Sequence, residues 1–233
     1  MAKGSKIKLA LIGANGRLGR SIQEVSKTEF AAKIEISALV TRENIKEFKN
    51  SKPKADVLLD VSLPTVSGEI LKSLLKRPEK IPYVIGCTGW EKNQFQVVKR
   101  YSENACAVYA PNFSPGVNLF LTLIEQAAPL LKEWGYDVSL HETHHTKKKD
   151  SPSGTAKAIL ERLGDLKAQI HCTRAGNIVG THEVRFVGPG DILTLNHEAL
   201  DRTIFARGAI LAALWAARKK QAGLFSMKDV LFK

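Results

Sequence analysis

The stretch Lys6–Gly19, with the sequence KIKLALIGANGRLG, decides the fold of the amino-terminal half. Residues 6–12 are mostly apolar and predict a buried strand, while residues 20–27 have helical spacing. Glycines at positions 13, 16 and 19 stand in the turn between these two elements. A glycine-rich turn at this place lets the backbone approach a pyrophosphate, which the helix amino terminus then holds. The pattern predicts dinucleotide binding; the alternative is a tight turn without a ligand.

The same turn supplies the first expected cofactor contacts. They are Gly13, Ala14, Asn15, Gly16, Arg17 and Leu18. The second predicted strand, residues 34–40, ends without the acid that usually binds the ribose hydroxyls of NAD. Arg42 follows instead and suits a 2′-phosphate, which favours NADPH, whereas the neighbouring Glu43 leaves NADH open. We therefore expect NADPH and/or NADH as the cofactor, with Arg42 as a contact.

Strands alternate with helices through the rest of this half. Residues 56–61, 83–85 and 105–110 predict strands, and residues 66–75 and 91–101 predict the helices between them. This α/β alternation is typical of a Rossmann-like, doubly wound parallel sheet, whose ligands bind at the carboxyl ends of the strands. The loops after the later strands therefore complete the expected cofactor site. They contribute Gly86, Cys87, Thr88, Ala110, Pro111, Asn112 and Phe113.

The carboxy-terminal half has a different pattern. Segments 168–174, 182–187 and 191–197 alternate apolar and polar residues, which predicts an antiparallel hairpin region. With a long apolar helix over 117–134, they predict a second α+β domain with a mixed or antiparallel sheet. A final helix over 202–220 has an alanine-rich apolar face that suits packing on the first domain.

Domain boundaries follow from these patterns. The run Pro111–Asn118 interrupts the alternation of strands and helices and marks the first boundary. We expect a dinucleotide-binding domain over residues 1–111 and 207–233, where the final helix returns. Residues 112–206 then form the second domain.

The loop His144–Thr155, with the sequence HHTKKKDSPSGT, is the strongest candidate for a reaction centre. It follows a strand predicted over 136–142 and precedes a helix that Ser151 caps, with Pro152 as its first residue. The first N–H groups of such a helix have no intrahelical partner and favour an anion. Lysines add positive charge, and histidine exchanges a proton near neutral pH. The loop predicts a carboxylate or phosphate site; the alternative is a solvated basic loop.

Histidines and cysteines outside this loop carry little functional signal. His141, His171, His182 and His197 fall within predicted strands, and we expect satisfied surface or interface side chains rather than ligands. The three cysteines, odd in number and widely spaced, argue against a disulfide framework and a zinc cluster. We therefore expect no metal site and a reducing cytoplasm.

The composition limits the class of partner. Of the 233 residues, 44% are hydrophobic, which is typical of a globular domain, and no apolar run approaches the ~20 residues of a membrane helix. Lysine and arginine number 35 against 23 acidic residues, a net charge of +12. The basic residues are spread along the chain without interleaved aromatics, so we expect a small anionic ligand and no nucleic acid. The amino terminus runs directly into a strand and does not resemble a signal peptide.

Taken in order, these motifs resemble the dihydrodipicolinate reductase family. The segment Glu142–Ala156 is similar to the family signature, and Gly13–Gly19 to its Gly-Ala-x-Gly-Arg-x-Gly start. Three further runs are similar: the Gly-x-Thr-Gly turn at Gly86–Gly89, the hinge at Pro111–Asn118 and the run Arg174–Gly180. The resemblance covers nearly the whole chain.

The resemblance implies NAD(P)H-dependent reduction of 4-hydroxy-tetrahydrodipicolinate (dihydrodipicolinate), a cyclic dicarboxylate, to tetrahydrodipicolinate in diaminopimelate and lysine biosynthesis. It implies that His144 and Lys148 are catalytic and that His145 contacts the substrate. It also implies that Gly154 and Thr155 grip a substrate carboxylate, and that the second domain binds substrate and builds a homotetramer.

The chain departs from the family pattern in two places. Thr146 and Lys147 stand where the family often has histidine or arginine, and the chain is shorter than many members around residues 42–54. Cofactor preference therefore does not transfer. Two alternatives stay open: another two-domain NAD(P)-dependent dehydrogenase of an amino acid or semialdehyde, and a non-catalytic NADPH-binding sensor.

Overall fold

The computed structural model describes residues 5–232. In chain order its elements are β1 (Ile7–Ile12), α1 (Arg17–Thr28), β2 (Ile34–Val40), α2 (Ile45–Asn50), β3 (Val57–Asp60), α3 (Pro64–Leu75), β4 (Tyr83–Ile85), α4 (Gln96–Ser102), β5 (Cys106–Tyr109), α5 (Pro115–Glu133), β6 (Asp137–His144), α6 (Gly154–Leu163), β7 (Ala168–Arg174), β8 (Gly180–Val187), β9 (Ile192–Ala199), α7 (Thr203–Arg218), β10 (Gly223–Phe225) and α8 (Met227–Leu231). Within residues 5–232, no helix combines the length and apolar character that crossing a membrane requires.

The chain divides into two compact units. The first contains the described residues up to Phe113 and those from Thr203 onward, and the second spans Ser114–Arg202. The sequence places the boundaries slightly differently, at 111/112 and 206/207. Phe113 is buried in the first unit, where α7 approaches it so closely that a Cβ on Gly208 would lie 1.8 Å from the Phe113 carbonyl oxygen.

A six-stranded parallel sheet forms the centre of the first unit. Its strand order is β10-β5-β4-β3-β1-β2, and every pair is parallel. Side chains of a strand alternate between the two faces, so Leu9 and Leu11 join one core, with α1, α7 and α8. Ala10 and Ile12 join the other core, with α2, α3 and α4. The predicted Rossmann-like, doubly wound fold is confirmed.

The second unit has a four-stranded mixed sheet in the order β7-β6-β8-β9. The pairs β6–β8 and β8–β9 are antiparallel, whereas β6–β7 is parallel. The alternation of segment 168–174 predicts that it belongs to an antiparallel hairpin region, and this prediction is wrong. Because α6 crosses back, β7 starts at the same end as β6. The predicted α+β domain with a mixed sheet is confirmed.

Helices α5 and α6 cover one face of this mixed sheet. Phe120, Ile159 and Phe186 belong to the core between them. Along β6 every second residue is buried, beginning with Val138. The last two buried positions of β6 are the polar residues Glu142 and His144, and this change from apolar to polar marks the candidate reaction centre.

Candidate active site

The glycine turn of the first unit is built for close backbone approach. Gly13 has a φ of +81°, and an added Cβ would lie 2.9 Å from the backbone nitrogen of Ser62. A Cβ on Gly19 would lie 2.3 Å from the Gly13 carbonyl oxygen, so α1 packs directly on the turn. Helix α1 has no side-chain cap at its amino terminus. Its first N–H groups therefore suit a phosphate ligand.

A cavity of about 600 Å³ opens beside this turn. It is lined by Ile12, Gly13, Asn15, Gly16, Val40, Thr41, Arg42, Glu43, Ile45, Val61, Ser62, Leu63 and Val66. Among the expected cofactor contacts, the cavity brings together Gly13, Asn15, Gly16 and Arg42. Ser62 lies along this crevice as its place after the third predicted strand indicates, whereas sequence reasoning did not single out Thr41, Leu63 and Val66, although they too stand close after the carboxyl ends of strands.

The other expected cofactor contacts lie outside this cavity. Arg17 is exposed at the start of α1, while Leu18 packs partly against the core and Ala14 is buried. In the later loops Thr88 and Pro111 are exposed and Asn112 is half-buried. The remaining residues are Gly86, against the Phe113 ring, and the buried Cys87, Ala110 and Phe113.

One positively charged and one negatively charged side chain lie at the mouth of the cavity. Arg42 and Glu43 are adjacent, and the Thr41 hydroxyl donates to the Glu43 carboxylate. This hydrogen bond lowers the pKa of Glu43, so the carboxylate stays ionised. A guanidinium suits a 2′-phosphate and a carboxylate suits a ribose hydroxyl, so the pair fits either nicotinamide cofactor.

A buried carboxyl group supports the cavity wall. Asp60 is fully buried at the end of β3 and accepts from the Ser62 backbone N–H at 2.8 Å and the Tyr83 hydroxyl at 2.6 Å. Burial raises the pKa of Asp60, while the hydrogen bonds oppose that change. Asp60 therefore fixes Ser62 against Gly13. The sequence does not distinguish it from other residues at the end of an apolar strand.

The second cluster of interest lies in the second unit, where β6 meets the amino terminus of α6. Ser153 caps α6, since its hydroxyl accepts from the Ala156 backbone N–H at 3.1 Å. The expectation that Ser151 is the cap and Pro152 the first helical residue is therefore wrong. Ser153 is favoured because its own N–H also finds a partner, the Glu142 carboxylate, at 3.1 and 3.2 Å.

Glu142 is the centre of this cluster, and sequence reasoning missed it as a functional residue. It is fully buried and accepts from Ser153 and from the Arg174 guanidinium, with Nη2 to Oε1 at 2.9 Å. Burial opposes ionisation, but the hydrogen bonds from Ser153 and Arg174 lower the pKa of Glu142 to about 2. The carboxylate is thus an internal anion at the start of α6.

His144 faces the same cluster. Its Nδ1 lies 2.8 Å from the Thr143 carbonyl oxygen, which can only accept, so Nδ1 carries the proton and Nε2 the lone pair of the neutral ring. Burial and then the nearby Lys148 charge lower the pKa of His144. The ring is therefore neutral near pH 7, with Nε2 free to accept a proton.

The basic loop contains one ion pair and is held to this cluster by a hydrogen bond. Lys148 donates to both carboxylate oxygens of Asp150, at 2.7 and 2.8 Å. Arg174 donates to the Asp150 carbonyl oxygen at 2.6 Å. The other predicted substrate contacts lie close by in the chain: His145 is half-buried, and Gly154 begins α6 with open space where a Cβ would stand. Thr155 is the second residue of the helix.

His182 is not the surface residue that its strand pattern suggests. It is 4% exposed, its ring stacks edge-on to His144 with 5.0 Å between centroids, and its Nε2 lies 3.2 Å from the Ser153 hydroxyl. Burial and then His144 lower the pKa of His182 to about 4. The signal available in the sequence is a histidine in register with the buried apolar residues Val184 and Phe186 of β8.

The remaining strand histidines differ among themselves. His141 and His171 are exposed as expected, and His141 bonds the Thr173 hydroxyl at 2.9 Å. His197 is half-buried beside Phe120, with a centroid distance of 6.2 Å. Among the described residues, Glu142, His144 and His182 form the group whose donor atoms could hold a metal ion.

These features define a class of protein. A parallel sheet with a glycine turn before its first helix is the architecture of a nicotinamide-nucleotide-binding domain. A second unit that presents an imidazole, an ammonium group and a helix amino terminus has the groups needed for proton transfer and anion binding. Together they define a two-domain oxidoreductase that uses a nicotinamide cofactor.

Comparison with known proteins identifies the family. Residues 7–113 match the family model described as "Dihydrodipicolinate reductase, N-terminus", and residues 116–231 match "Dihydrodipicolinate reductase, C-terminus". The chain belongs to the dihydrodipicolinate reductase family.

Relatives agree with this assignment over nearly the full length. A 4-hydroxy-tetrahydrodipicolinate reductase of Sulfurimonas denitrificans is 34% identical over 97% of this chain and 99% of the relative. One from Rickettsia bellii is 35% identical over 96% of this chain and 94% of the relative. Among solved structures, a dipicolinate-bound dihydrodipicolinate reductase from Paenisporosarcina sp. TG-14 has the same fold, with a TM-score of 0.78 and 21% identity over 95% of this chain and 98% of that one.

Proposed function

We propose that this protein catalyses the NAD(P)H-dependent reduction of 4-hydroxy-tetrahydrodipicolinate to tetrahydrodipicolinate, a step of diaminopimelate and lysine biosynthesis. Family membership over both units supports the reaction. The observation that carries the proposal for the site is that the His144 ring contacts His182, which bonds the α6 cap Ser153, while Arg174 holds the loop that carries Lys148 to the same cluster. That arrangement joins two proton-exchanging groups to an anion-binding helix end.

The first unit binds the cofactor, which when bound supplies the hydride. Its pyrophosphate is held by the Gly13–Leu18 turn, where α1 begins without a side-chain cap. Arg42 and Glu43, which line the cavity beside this turn, would hold the adenosine end. The loops at 86–88 and 110–113 complete the site; Cys87, Ala110 and Phe113 are buried in them, and Thr88 and Pro111 are exposed.

His144 and Lys148 carry out the proton transfer. A hydride added to a conjugated imine leaves negative charge on the substrate, and a proton must quench it. Lys148 carries the positive charge and donates, while His144, neutral with its lone pair on Nε2, accepts or relays a proton. Positioned acid or base groups typically contribute a factor of ~10²–10⁴ each.

The second unit also binds the two substrate carboxylates. Gly154 and Thr155 present the amino terminus of α6 to one carboxylate, and the open space at Gly154 admits it. His145 and Lys148 add cationic or N–H donors for the remaining polar groups. A small dianion of this kind suits a chain with a net charge of +12.

The second unit serves as the assembly domain of a cytoplasmic homotetramer. One face of its sheet is covered by α5 and α6, and β9 is an edge strand that another chain can meet. The β8–β9 end of the sheet also exposes the large apolar residues Val187, Ile192 and Leu193. Light scattering coupled to size-exclusion chromatography tests the assembly: a mass of four chains is expected, and a monomeric mass excludes it.

A reduction assay with freshly prepared cyclic substrate tests the function. Oxidation of NADPH and of NADH is followed in turn by absorbance, and substrate-dependent oxidation is expected with at least one of them. Reduction of amino-acid-derived ketones or semialdehydes instead would assign another dehydrogenase activity. Cofactor binding without turnover on any dicarboxylate would assign a sensor.

Site variants test the residue roles in the same assay. His144→Gln and Lys148→Ala should each lower kcat by about 10²–10⁴-fold while leaving the Kd for NADPH nearly unchanged. His141→Gln is the matched control, because His141 lies on the same strand but is exposed on the other face. Equal losses of cofactor affinity in the two site variants would show that their positions have been misassigned.

A further inference from the structure

The cluster beneath α6 has the composition of a metal site. Glu142, His144 and His182 each offer one ligand atom, and these atoms all lie within 4.8 Å of one another. Two imidazoles and one carboxylate form a ligand set that Zn²⁺ accepts in proteins, with water as a fourth ligand. The sequence does not indicate this metal site, because its three ligands come from two strands that are distant in the chain and pair only in the folded structure.

One pair of ligand atoms lies near the separation that a bound ion requires, and all three ligand atoms lie within 4.8 Å of one another, so binding needs some movement of the side chains. The Glu142 Oε2 and His182 Nε2 atoms are 3.7 Å apart. Ligands of a tetrahedral Zn²⁺, bound at 2.0–2.1 Å, are separated by about 3.4 Å. Shifts of a few tenths of an ångström therefore bring this pair to the bonding distance.

The surrounding hydrogen bonds orient the ligands. His144 Nδ1 donates to the Thr143 carbonyl oxygen at 2.8 Å, so we assign Nε2 as its ligand atom. This is the usual support of a metal-bound histidine, whose other ring nitrogen donates to a carbonyl or carboxylate. Arg174 holds Glu142 through Oε1, while Oε2, which also accepts from the Ser153 N–H at 3.1 Å, lies on the side of His182. Gly180 has no side chain beside Nε2, where a Cβ would lie 3.3 Å away.

The charges nearby do not forbid a cation. Arg174 is paired with Glu142, and Lys148 is paired with Asp150. The Glu142 carboxylate is then shared between Arg174 and the ion, and the ion replaces the Ser153 hydroxyl as the partner of the His182 Nε2 atom. Imidazole ligands favour Zn²⁺ and similar transition metal ions, whereas Mg²⁺ prefers oxygen ligands.

We propose that Glu142, His144 and His182 form a binding site for Zn²⁺ or a similar divalent transition metal ion, and that the bound ion inhibits the enzyme by occupying Nε2 of His144. The binding site stands on the geometry alone. The inhibition rests on the proposed function, because it requires that His144 exchange protons during the reaction.

Titration of the full-length protein tests the binding directly. Zn²⁺ is followed by calorimetry, and Co²⁺ by the visible absorption whose intensity marks tetrahedral coordination. One ion per chain is expected, with no binding of Mg²⁺. Equal binding of Mg²⁺, or Co²⁺ absorption of an octahedral aquo type, would overturn the proposal.

Variants identify the ligands. His182→Gln should weaken Zn²⁺ binding by roughly tenfold or more, and His144→Gln should do the same. His141→Gln is the matched control and should bind like the original chain. Cys172→Ser tests a competing ligand, because Cys172 is an exposed thiol paired in register with Glu142. Loss of binding in Cys172→Ser with retention in both site variants would overturn the proposal, and circular dichroism checks that each variant is folded.

Activity measurements then test the inhibition. Zn²⁺ should abolish substrate reduction at concentrations that saturate the calorimetric site, while the Kd for NADPH stays unchanged. Full activity with the site saturated would overturn the inhibitory role. If no dicarboxylate reduction is found at all, the proposed function fails, yet the titrations still decide whether the metal site exists.

Discussion

Replacing Glu142 with glutamine tests whether the buried carboxylate holds the start of α6 in place. The substitution keeps the side-chain shape but removes the charge that the Ser153 N–H and the Arg174 guanidinium share. It leaves Arg174, whose side chain is only 19% exposed, without its carboxylate. Breaking a buried ion pair in this way costs ~3–5 kcal/mol, and the partial exposure of Arg174 places the expected loss near ~3 kcal/mol.

Amide hydrogen exchange measures this loss where it arises. Peptides that cover β6 and α6 should exchange about 10²-fold faster in Glu142→Gln, because every ~1.4 kcal/mol changes an equilibrium tenfold. Peptides from the parallel sheet of the first unit should not change. Turnover should fall as well, since Arg174 also holds the Asp150 carbonyl oxygen and with it the loop that carries Lys148.

A double-mutant cycle separates the ion pair from a general loss of packing. Arg174→Met alone should also destabilise the unit, but the combination with Glu142→Gln should cost ~1–3 kcal/mol less than the sum. Glu198→Gln, at an exposed position of β9, is the control and should stay within ~0.5 kcal/mol of the original chain. An additive double variant, or a Glu142→Gln chain that exchanges like the control, would refute the assigned role of Glu142.

Two further predictions concern thiols and glycines. Cys172 is exposed whereas burial raises the pKa of Cys87 to about 12, so at pH 8 a thiol reagent should label Cys172 first, as peptide mass spectrometry checks. Labelling of Cys87 at a similar rate in the folded chain would contradict its burial. Gly208→Ala should destabilise the first unit by roughly 3 kcal/mol, since the Cβ meets the Phe113 carbonyl. Gly68→Ala, in α3 with no atom closer than 4.0 Å, should instead stabilise it by up to ~1 kcal/mol in urea unfolding.

The first unit was predictable because its signals are local. A strand, a glycine turn and a helix follow one another within Lys6–Thr28, and the alternation of elements then specifies a parallel sheet. Asp60 was missed because its signal is not local. Its partner Tyr83 comes from the next strand, and only the register β3–β4 brings the two side chains together.

The second unit was less predictable because its site depends on strand pairing. His182 and Arg174 come from β8 and β7, and both reach Glu142 only through the register of those strands with β6. The choice of Ser153 over Ser151 as helix cap has the same origin. Both serines suit the role locally, and the buried Glu142 carboxylate decides between them by binding the Ser153 N–H.

The two ion pairs of the basic loop differ in a way that suits a reaction cycle. Lys148–Asp150 has side chains that are 21% and 54% exposed, and exposed pairs contribute only ~0–1 kcal/mol. A substrate carboxylate can therefore replace Asp150 as the ion-pair partner of Lys148 at a small cost in free energy. The Arg174–Glu142 pair is buried, so replacing either of its members costs more free energy. The weak pair is thus the one that carries the proposed proton donor, and the strong pair is the one that fixes the helix end on which the substrate is to bind.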